Sequence, residues 1–172
     1  MPDDDLRQRL DAAINLLDDA QRRRLLGWAG SMQPAVEDAR AAGASIGPLA
    51  EMLHITNLGV SDGHARYRLD VAPELVNPHG VLHGGAVYTM IDYSMGGATM
   101  AALPPGEICA TIEIKVSYFA GVRGGVLTCD TSIVKQGKNV VFLESQVTDE
   151  RGTLVAAATG SFAVIRRGSG EA

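Results

Sequence analysis

From Gly84 to Ala102 the chain runs for the length of a helix with one charged side chain, Asp92. No lysine or arginine occurs anywhere from residue 69 to residue 114. A helix that is apolar nearly all round is a buried helix, so the fold must wrap other elements around it. It must also accommodate the acid. A buried, unpaired carboxylate is costly or responds with a raised pKa. Asp92 therefore needs a distant partner or a use for its basicity; a bond to a neighbouring Ser, Thr or backbone amide is the plain structural alternative. Gly96 and Gly97 sharpen the point. Each mid-helix glycine costs about 1 kcal/mol relative to alanine, which suggests close approach of another backbone, of a ligand, or simply of a tightly packed neighbour.

What could do the wrapping is legible on either side. Ala65, Tyr67, Leu69 and Val71 alternate with His64, Arg66, Arg68 and Asp70, the pattern of a half-buried strand. "SDG" at 61–63 is a turn, which makes residues 53–60 its hairpin partner. Ile112, Ile114, Val116 and Tyr118 alternate with Glu113, Lys115 and Ser117 as a third strand. Residues 125–135, 139–148 and 153–165 read as three more, joined by the hairpin turns "QGKN" and "DERG". One apolar helix against about six mostly antiparallel strands is an α+β architecture.

Upstream, Leu6, Leu10, Ile14, Leu17, Leu25, Trp28 and Met32 recur at helical spacing, predicting one helix over 3–32. Asp18–Arg22 and Asp19–Arg23 read as its i,i+4 pairs. Pro34 ends it, and a short helix over 34–42 follows, closed by Gly43. The apolar stripe of this arm requires either the main domain or a partner subunit to dock on. The expected organisation is a helical extension over 1–45, a main domain over 46–166 and a disordered tail over 167–172.

The 172 residues, 46% of them apolar, suit one domain with an appendage. A net charge of -5 argues against a nucleic-acid or anionic-membrane partner, though not against an anionic small ligand held by a local basic patch. Cys109 and Cys129 stand alone in apolar surroundings, as reduced thiols of a cytoplasmic protein do. With four scattered histidines they make no metal-ligand set. The acidic start "MPDDDLRQR" has no signal-peptide core, and no stretch reads as a membrane span.

The start of the apolar run is "N-P-H-G-V-L-H-G-G", residues 77–85. The first amides of a helix lack internal partners and carry the positive end of its dipole. Glycines at 84 and 85 let a ligand approach them, as an oxyanion does in acyl transfer. The Asn77 side-chain amide offers a second donor. Gly84 and Asp92 are eight residues apart, about 12 Å along one helix axis. A base and an oxyanion donor acting on one carbonyl must be within a few Å of it. One chain cannot supply both; two antiparallel helices from two subunits could, Gly84 of one facing Asp92 of the other.

The run "N-P-H-G-V-L-H-G-G-A-V-Y-T-M-I-D" resembles the signature of hotdog-fold acyl-CoA thioesterases, in the PaaI-like branch of the 4-hydroxybenzoyl-CoA thioesterase superfamily. Asn77, then HGG six residues on, then an acid nine residues after His83 keep its two intervals, and "TIEIKVSYFAGVRGG" (111–125) is similar as well. The resemblance covers residues 50–165 and leaves the arm out. It implies a hotdog fold, a long helix wrapped by a curved antiparallel sheet. It implies an obligate homodimer, extending in some assemblies to a tetramer, with sites at the interface and an acyl-CoA or aryl-CoA substrate. CoA would belong to the substrate, with no further cofactor. Asp92 would be general base or nucleophile, the Gly84 amide the oxyanion donor, and Asn77 its assistant. Thr111 stands where relatives hold the hydrolytic water, and His83 either orients the loop and carbonyl or caps the helix. Gly85 and Gly96 would give the substrate room, and Arg123 and Lys138, with Arg151, would hold the CoA nucleotide. The chain departs from the pattern at "FAG" (119–121), where relatives often carry proline.

Three other readings compete. "GVSDG" (59–63) fits the G-x-S-x-G of α/β-hydrolases, but it leads into a strand and no histidine follows residue 83. A non-enzymatic acyl-CoA sensor would be expected to lack the acid that this chain keeps. A hotdog hydratase or dehydratase pairs its His and acid in a different arrangement.

Overall fold

The computed structural model describes residues 2–31 and 47–166. The chain divides into two compact units between Met52 and Leu53. The helix expected over 34–42 and the tail over 167–172 lie outside the described residues.

The first unit holds helices α1 (Pro2–Asn15), α2 (Asp19–Ser31) and α3 (Pro48–Met52). The single helix expected over 3–32 is thus two. A capping box makes the break: Gln21 N donates to Asp18 Oδ1 at 2.8 Å, and Asp18 N donates to Gln21 Oε1 at 2.9 Å. With Asp18 spent on that cap, Arg22 does not pair with it. Instead Arg22 Nε donates to the Ile14 carbonyl at the end of α1 (3.1 Å), and its Nη1 lies 3.6 Å from Asp19.

The second unit contains β1 (Ile55–Ser61), β2 (His64–Asp70), a 3-10 turn (Pro73–Leu75) and α4 (Gly84–Ala102). Then come β3 (Glu107–Tyr118), β4 (Val126–Gln136), β5 (Val140–Asp149) and β6 (Leu154–Arg166). The strands form one antiparallel sheet in the order β1-β2-β4-β5-β6-β3. Six strands at about 4.8 Å spacing span about 24 Å, twice the width of a helix with its side chains. Yet α4 contacts every strand, both edges included. The sheet must curl around the helix to do so, which is the hotdog arrangement. "GVSDG" ends β1 and turns into β2, so its serine sits on no strand-to-helix elbow.

The core lies between the helix and the inner face of the sheet. Met90, Ile91, Met95 and Ala98 meet inward side chains such as Leu69, Leu127, Leu143 and Phe162, all buried. Three buried hydroxyls cross this core as a chain: Ser94 to Thr131 and Thr131 to Ser145, each 2.6 Å. They satisfy one another, so burying them leaves no orphaned polar atom.

Two expectations change here. The helix is not buried all round: Tyr88 and Met100 are 39% and 44% exposed, and Asp92 on the same stripe is only half-buried. Nor does β3 alternate strictly. It begins at Glu107 rather than Ile112, and its register against β6 slips between Thr111 and Glu113. Ile112 is the extra residue of a bulge and is 55% exposed, not inward.

Candidate active site

The segment leading into α4 is stitched down by its own backbone. Val76 and Leu82 form a bridge, Asn77 N donates to Val81 O (2.8 Å), His83 N to Leu75 O (2.8 Å) and Leu82 N to Val122 O (2.7 Å). Gly80 turns the chain at φ +73, and a Cβ there would lie 2.9 Å from Arg123 Nη1. Asn77 Oδ1 accepts from His79 N (2.9 Å) and Val81 N (3.3 Å). Two backbone donors fix which end of that side chain is oxygen. Its NH2 group makes no hydrogen bond among the described residues and is left to donate elsewhere.

His83 is the N-cap of α4: its Nδ1 accepts from Gly85 N at 3.1 Å. An accepting Nδ1 puts the neutral ring's proton on Nε2. Ala86 N donates to His83 O at 3.0 Å. Gly84 N, first in the helix, has no acceptor among the described residues. Gly84 O accepts from the Tyr118 hydroxyl at 2.8 Å. The helix thus begins with one spare amide, close to the dipole's positive end.

Two turns along, Asp92 is not alone. Thr111 Oγ1 donates to Asp92 Oδ1 at 2.8 Å from β3. The other carboxylate oxygen makes no hydrogen bond among the described residues and lies on a partly exposed stripe that also carries Gly85, Tyr88, Gly96 and Met100. The two glycines downstream have different explanations. A Cβ at Gly97 would sit 2.7 Å from the Tyr67 hydroxyl, so packing requires glycine there. A Cβ at Gly96 would meet nothing closer than Phe162, at 3.8 Å. Nothing within the chain demands that glycine. The nearby Cys109 thiol lies 3.8 Å from Gly96 O; burial, and then the Asp92 charge, push its pKa up and keep it a thiol.

Beside Gly84 opens a cavity of about 350 Å³ walled by Val81, Leu82, Val87, Tyr118, Phe119 and Val122. No charged side chain lines it. It is small among ligand sites, which span about 300–1,000 Å³. A wider polar trough of about 450 Å³ crosses the outer face by Ser61, His64, Arg66, Asp130, Glu144 and Gln146. Size alone would favour the trough. It touches none of the residues at the helix start or around Asp92, and its most basic group, Arg66, is already paired with Asp130 at 2.6 Å.

The basic residues are not gathered in one place. Arg123 Nη1 donates to the carbonyls of His79 (3.3 Å) and Gly80 (3.1 Å), clamping the loop before α4. Lys138 lies in the β4–β5 turn beside Gln136, whose side chain reaches the Ala102 carbonyl at the far end of α4. That end is about 27 Å from Gly84 along the helix. Arg151 sits in the β5–β6 turn. Among the described residues no His, Cys, Asp and Glu cluster is arranged to hold a metal ion, and no helix is long and apolar enough to cross a membrane.

An apolar cavity, one spare helix amide and a hydroxyl-held acid on the same helix can be set beside known proteins. The sequence pattern of the thioesterase superfamily matches residues 79–156, from the loop through β5 into β6. A candidate esterase of Halobacterium salinarum is 35% identical over 129 residues, covering 69% of this chain and 85% of that protein. The chain belongs to the thioesterase superfamily. It is therefore a thioester hydrolase. A 1,4-dihydroxy-2-naphthoyl-CoA hydrolase of Listeria monocytogenes is 26% identical, with 69% of this chain and 97% of that one covered. A conserved protein of Pseudomonas aeruginosa superimposes with TM-score 0.68 at 30% identity, over 77% of this chain and all of that one. The phenylacetic acid degradation protein PaaI of Thermus thermophilus, at 24% identity and TM-score 0.63, shares the fold over 70% of this chain and 99% of its own.

Tyr118 lies closer to the helix start than the sequence suggested. The alternation along β3 counts it as one more inward apolar residue, and only the structure brings its hydroxyl to the Gly84 carbonyl. The Thr111–Asp92 bond likewise joins residues nineteen apart, a separation no local spacing rule reports.

Proposed function

We propose that this thioesterase hydrolyses an acyl-CoA or aryl-CoA thioester at two composite sites of a homodimer, Asp92 from one subunit working opposite Gly84 of the other. The observation that carries this reading is the separation of the two groups. The spare Gly84 amide and the Thr111-held carboxylate lie about 12 Å apart on one helix, too far to meet at one carbonyl. An antiparallel second copy of α4 laid along the stripe would bring each within reach of the other's partner. The stripe suits that role: Tyr88 and Met100 are exposed on it and Gly96 leaves room. Strand β3 supports it too, as a long edge strand paired on one side only, to β6.

In this mechanism the thioester carbonyl oxygen sits on Gly84 N–H, with the Asn77 NH2 as second donor. Asp92 removes a proton from water as it attacks, or attacks the carbonyl carbon itself to give an anhydride that water then opens. Negative charge develops on the carbonyl oxygen, where the amide and helix dipole stabilise it. The C–S bond breaks, CoA leaves as a thiolate that takes up a proton, and the free acid follows. The acyl group occupies the cavity beside Gly84. Arg123, through the guanidinium nitrogens not spent on the loop, contacts the CoA nucleotide; Lys138, beside the far end of α4, does so only from the opposite subunit. Water, a carboxylate and two amides suffice for this chemistry, which calls for no metal or redox cofactor.

The test is release of free CoA thiol from a panel of aryl and short, medium and long acyl thioesters. Wild-type protein should turn over at least one. Asp92→Asn should lower kcat by about a thousand-fold or more while binding substrate and keeping its assembly. Near-wild-type turnover by the variant would sink the mechanism, and binding without turnover across the panel would make the protein an acyl-CoA sensor instead.

A further inference from the structure

Strand β3 touches the reacting groups twice, once through Thr111 on Asp92 and once through Tyr118 on Gly84. In a regular strand this would be impossible. Successive side chains point to opposite faces, and the two residues are seven positions apart, an odd number. One of them would face away from the helix. The bulge at Ile112 reverses the parity. Thr111 stays opposite Phe162 and Tyr118 opposite Ala156, both of them buried residues of β6. The extra residue, Ile112, is turned out to solvent at some cost in exposed apolar surface.

The helix start needs such a brace. Two glycines in succession give the first turn of α4 the largest backbone freedom of any residue pair. His83 accepts from the second amide, that of Gly85, and the first has no acceptor among the described residues. The Tyr118 hydroxyl takes the Gly84 carbonyl at 2.8 Å, and the Tyr118 ring lies 3.4 Å from where a Gly84 Cβ would be. The residue is thus restrained from its carbonyl and from its open side together, while the bond from Ala86 N to His83 O holds the peptide plane that carries the Gly84 N–H. Burial, and then the neighbouring Tyr88, push the Tyr118 phenol upward in pKa, so it remains a protonated donor at neutral pH.

We propose that Tyr118 is a positioning residue for the Gly84 oxyanion-binding amide, and that the β3 bulge lets a single strand set both the acid and the amide. This rests on the thioesterase reading above and adds to it a residue that does no chemistry itself. Since Asp92 and Gly84 of one chain serve different sites, each β3 strand braces half of both.

The experiment is Tyr118→Phe, which keeps the ring and deletes the donor. For a thioester that the wild type hydrolyses, kcat should fall about ten-fold with KM changed less than two-fold, since donors displaced by a fraction of an ångström lose transition-state stabilisation while substrate still binds. The thermal midpoint should hold, because Tyr118 is 49% exposed. In parallel, hydrogen exchange at the Tyr88 amide, one turn above the Gly84 carbonyl, should quicken several-fold while β5 amides do not change. A loss confined to KM, a loss that tracks a lowered midpoint, or unchanged Tyr88 exchange would each overturn the proposal. If the wild type hydrolyses no thioester, the functional reading fails; the exchange measurement then decides on its own whether Tyr118 holds the first turn.

Discussion

Asp92 carries the one charge of a nineteen-residue helix and meets a hydroxyl rather than a cation. The difference has a chemical consequence. A lysine or arginine partner would hold the carboxylate in an ion pair and tax its use as a base. A threonine hydroxyl fixes one oxygen and leaves the negative charge available. Thr111→Val tests this at the scale of one atom, because valine keeps the shape and the strand propensity. Thr111 is exposed in the chain, so its thermal midpoint should move by little, while kcat falls about ten- to a hundred-fold as the carboxylate loses its fixed rotamer. Steady-state kinetics beside a thermal melt separate the two; a variant with full kcat would relegate Thr111 to a bystander. Sequence exposed the acid readily, since a lone charge in an apolar run stands out. The resemblance pointed to Thr111 as a holder of water, but its pairing with Asp92 stayed hidden, because contacts across nineteen residues depend on which way a strand faces, and the bulge that decides this has no marker in the alternation.

At the scale of elements, hydrophobic period and turn signals together located all six strands and the central helix, though β3 only from Ile112 onward, because burial of one face imposes period two or near-complete apolarity on the residues themselves. Errors arose where local chemistry overrode period. The arm helix breaks at Asp18 because Asp18 and Gln21 form a capping box, a D-x-x-Q signal present in the sequence but outweighed by the continuing leucine spacing. The stripe of α4 that stays uncovered was invisible, since Tyr88, Gly96 and Met100 resemble core composition. The helix start itself permits a clean probe. Gly84 is the first helical residue and follows His83 at φ -64, ψ 129, the extended conformation that a following proline demands. Proline is favoured at this position because it lacks only an amide hydrogen that the helix does not use. Gly84→Pro should therefore preserve α4 and delete the oxyanion donor, lowering kcat by about 10²–10³-fold. Circular dichroism and kcat measured together would check it; intact helix with intact turnover would remove Gly84 from the mechanism.

The whole molecule is where the spacing argument has to be settled. If each site takes Asp92 from one subunit and Gly84 from the other, the two damaging substitutions can be separated and recombined. Asp92→Asn protein keeps good amides, and Gly84→Pro protein keeps good acids. Each alone is nearly inactive. Unfolded together in equal amounts and refolded, half of the dimers should be mixed, and each mixed dimer should contain one site built from an intact Asp92 and an intact Gly84 and one with both defects. Recovery should approach about one quarter of wild-type activity, by the counting of a two-fold assembly. A site made within one chain predicts no recovery, because neither variant has both groups to give. The same mixture brought together without unfolding measures how readily subunits exchange, and it should regain activity only as fast as the dimers come apart. Recovery near one quarter would also account for the uncovered stripe on α4, because the surface that Tyr88, Gly96 and Met100 leave open would then be the seam across which the acid of one chain reaches the carbonyl held by the other.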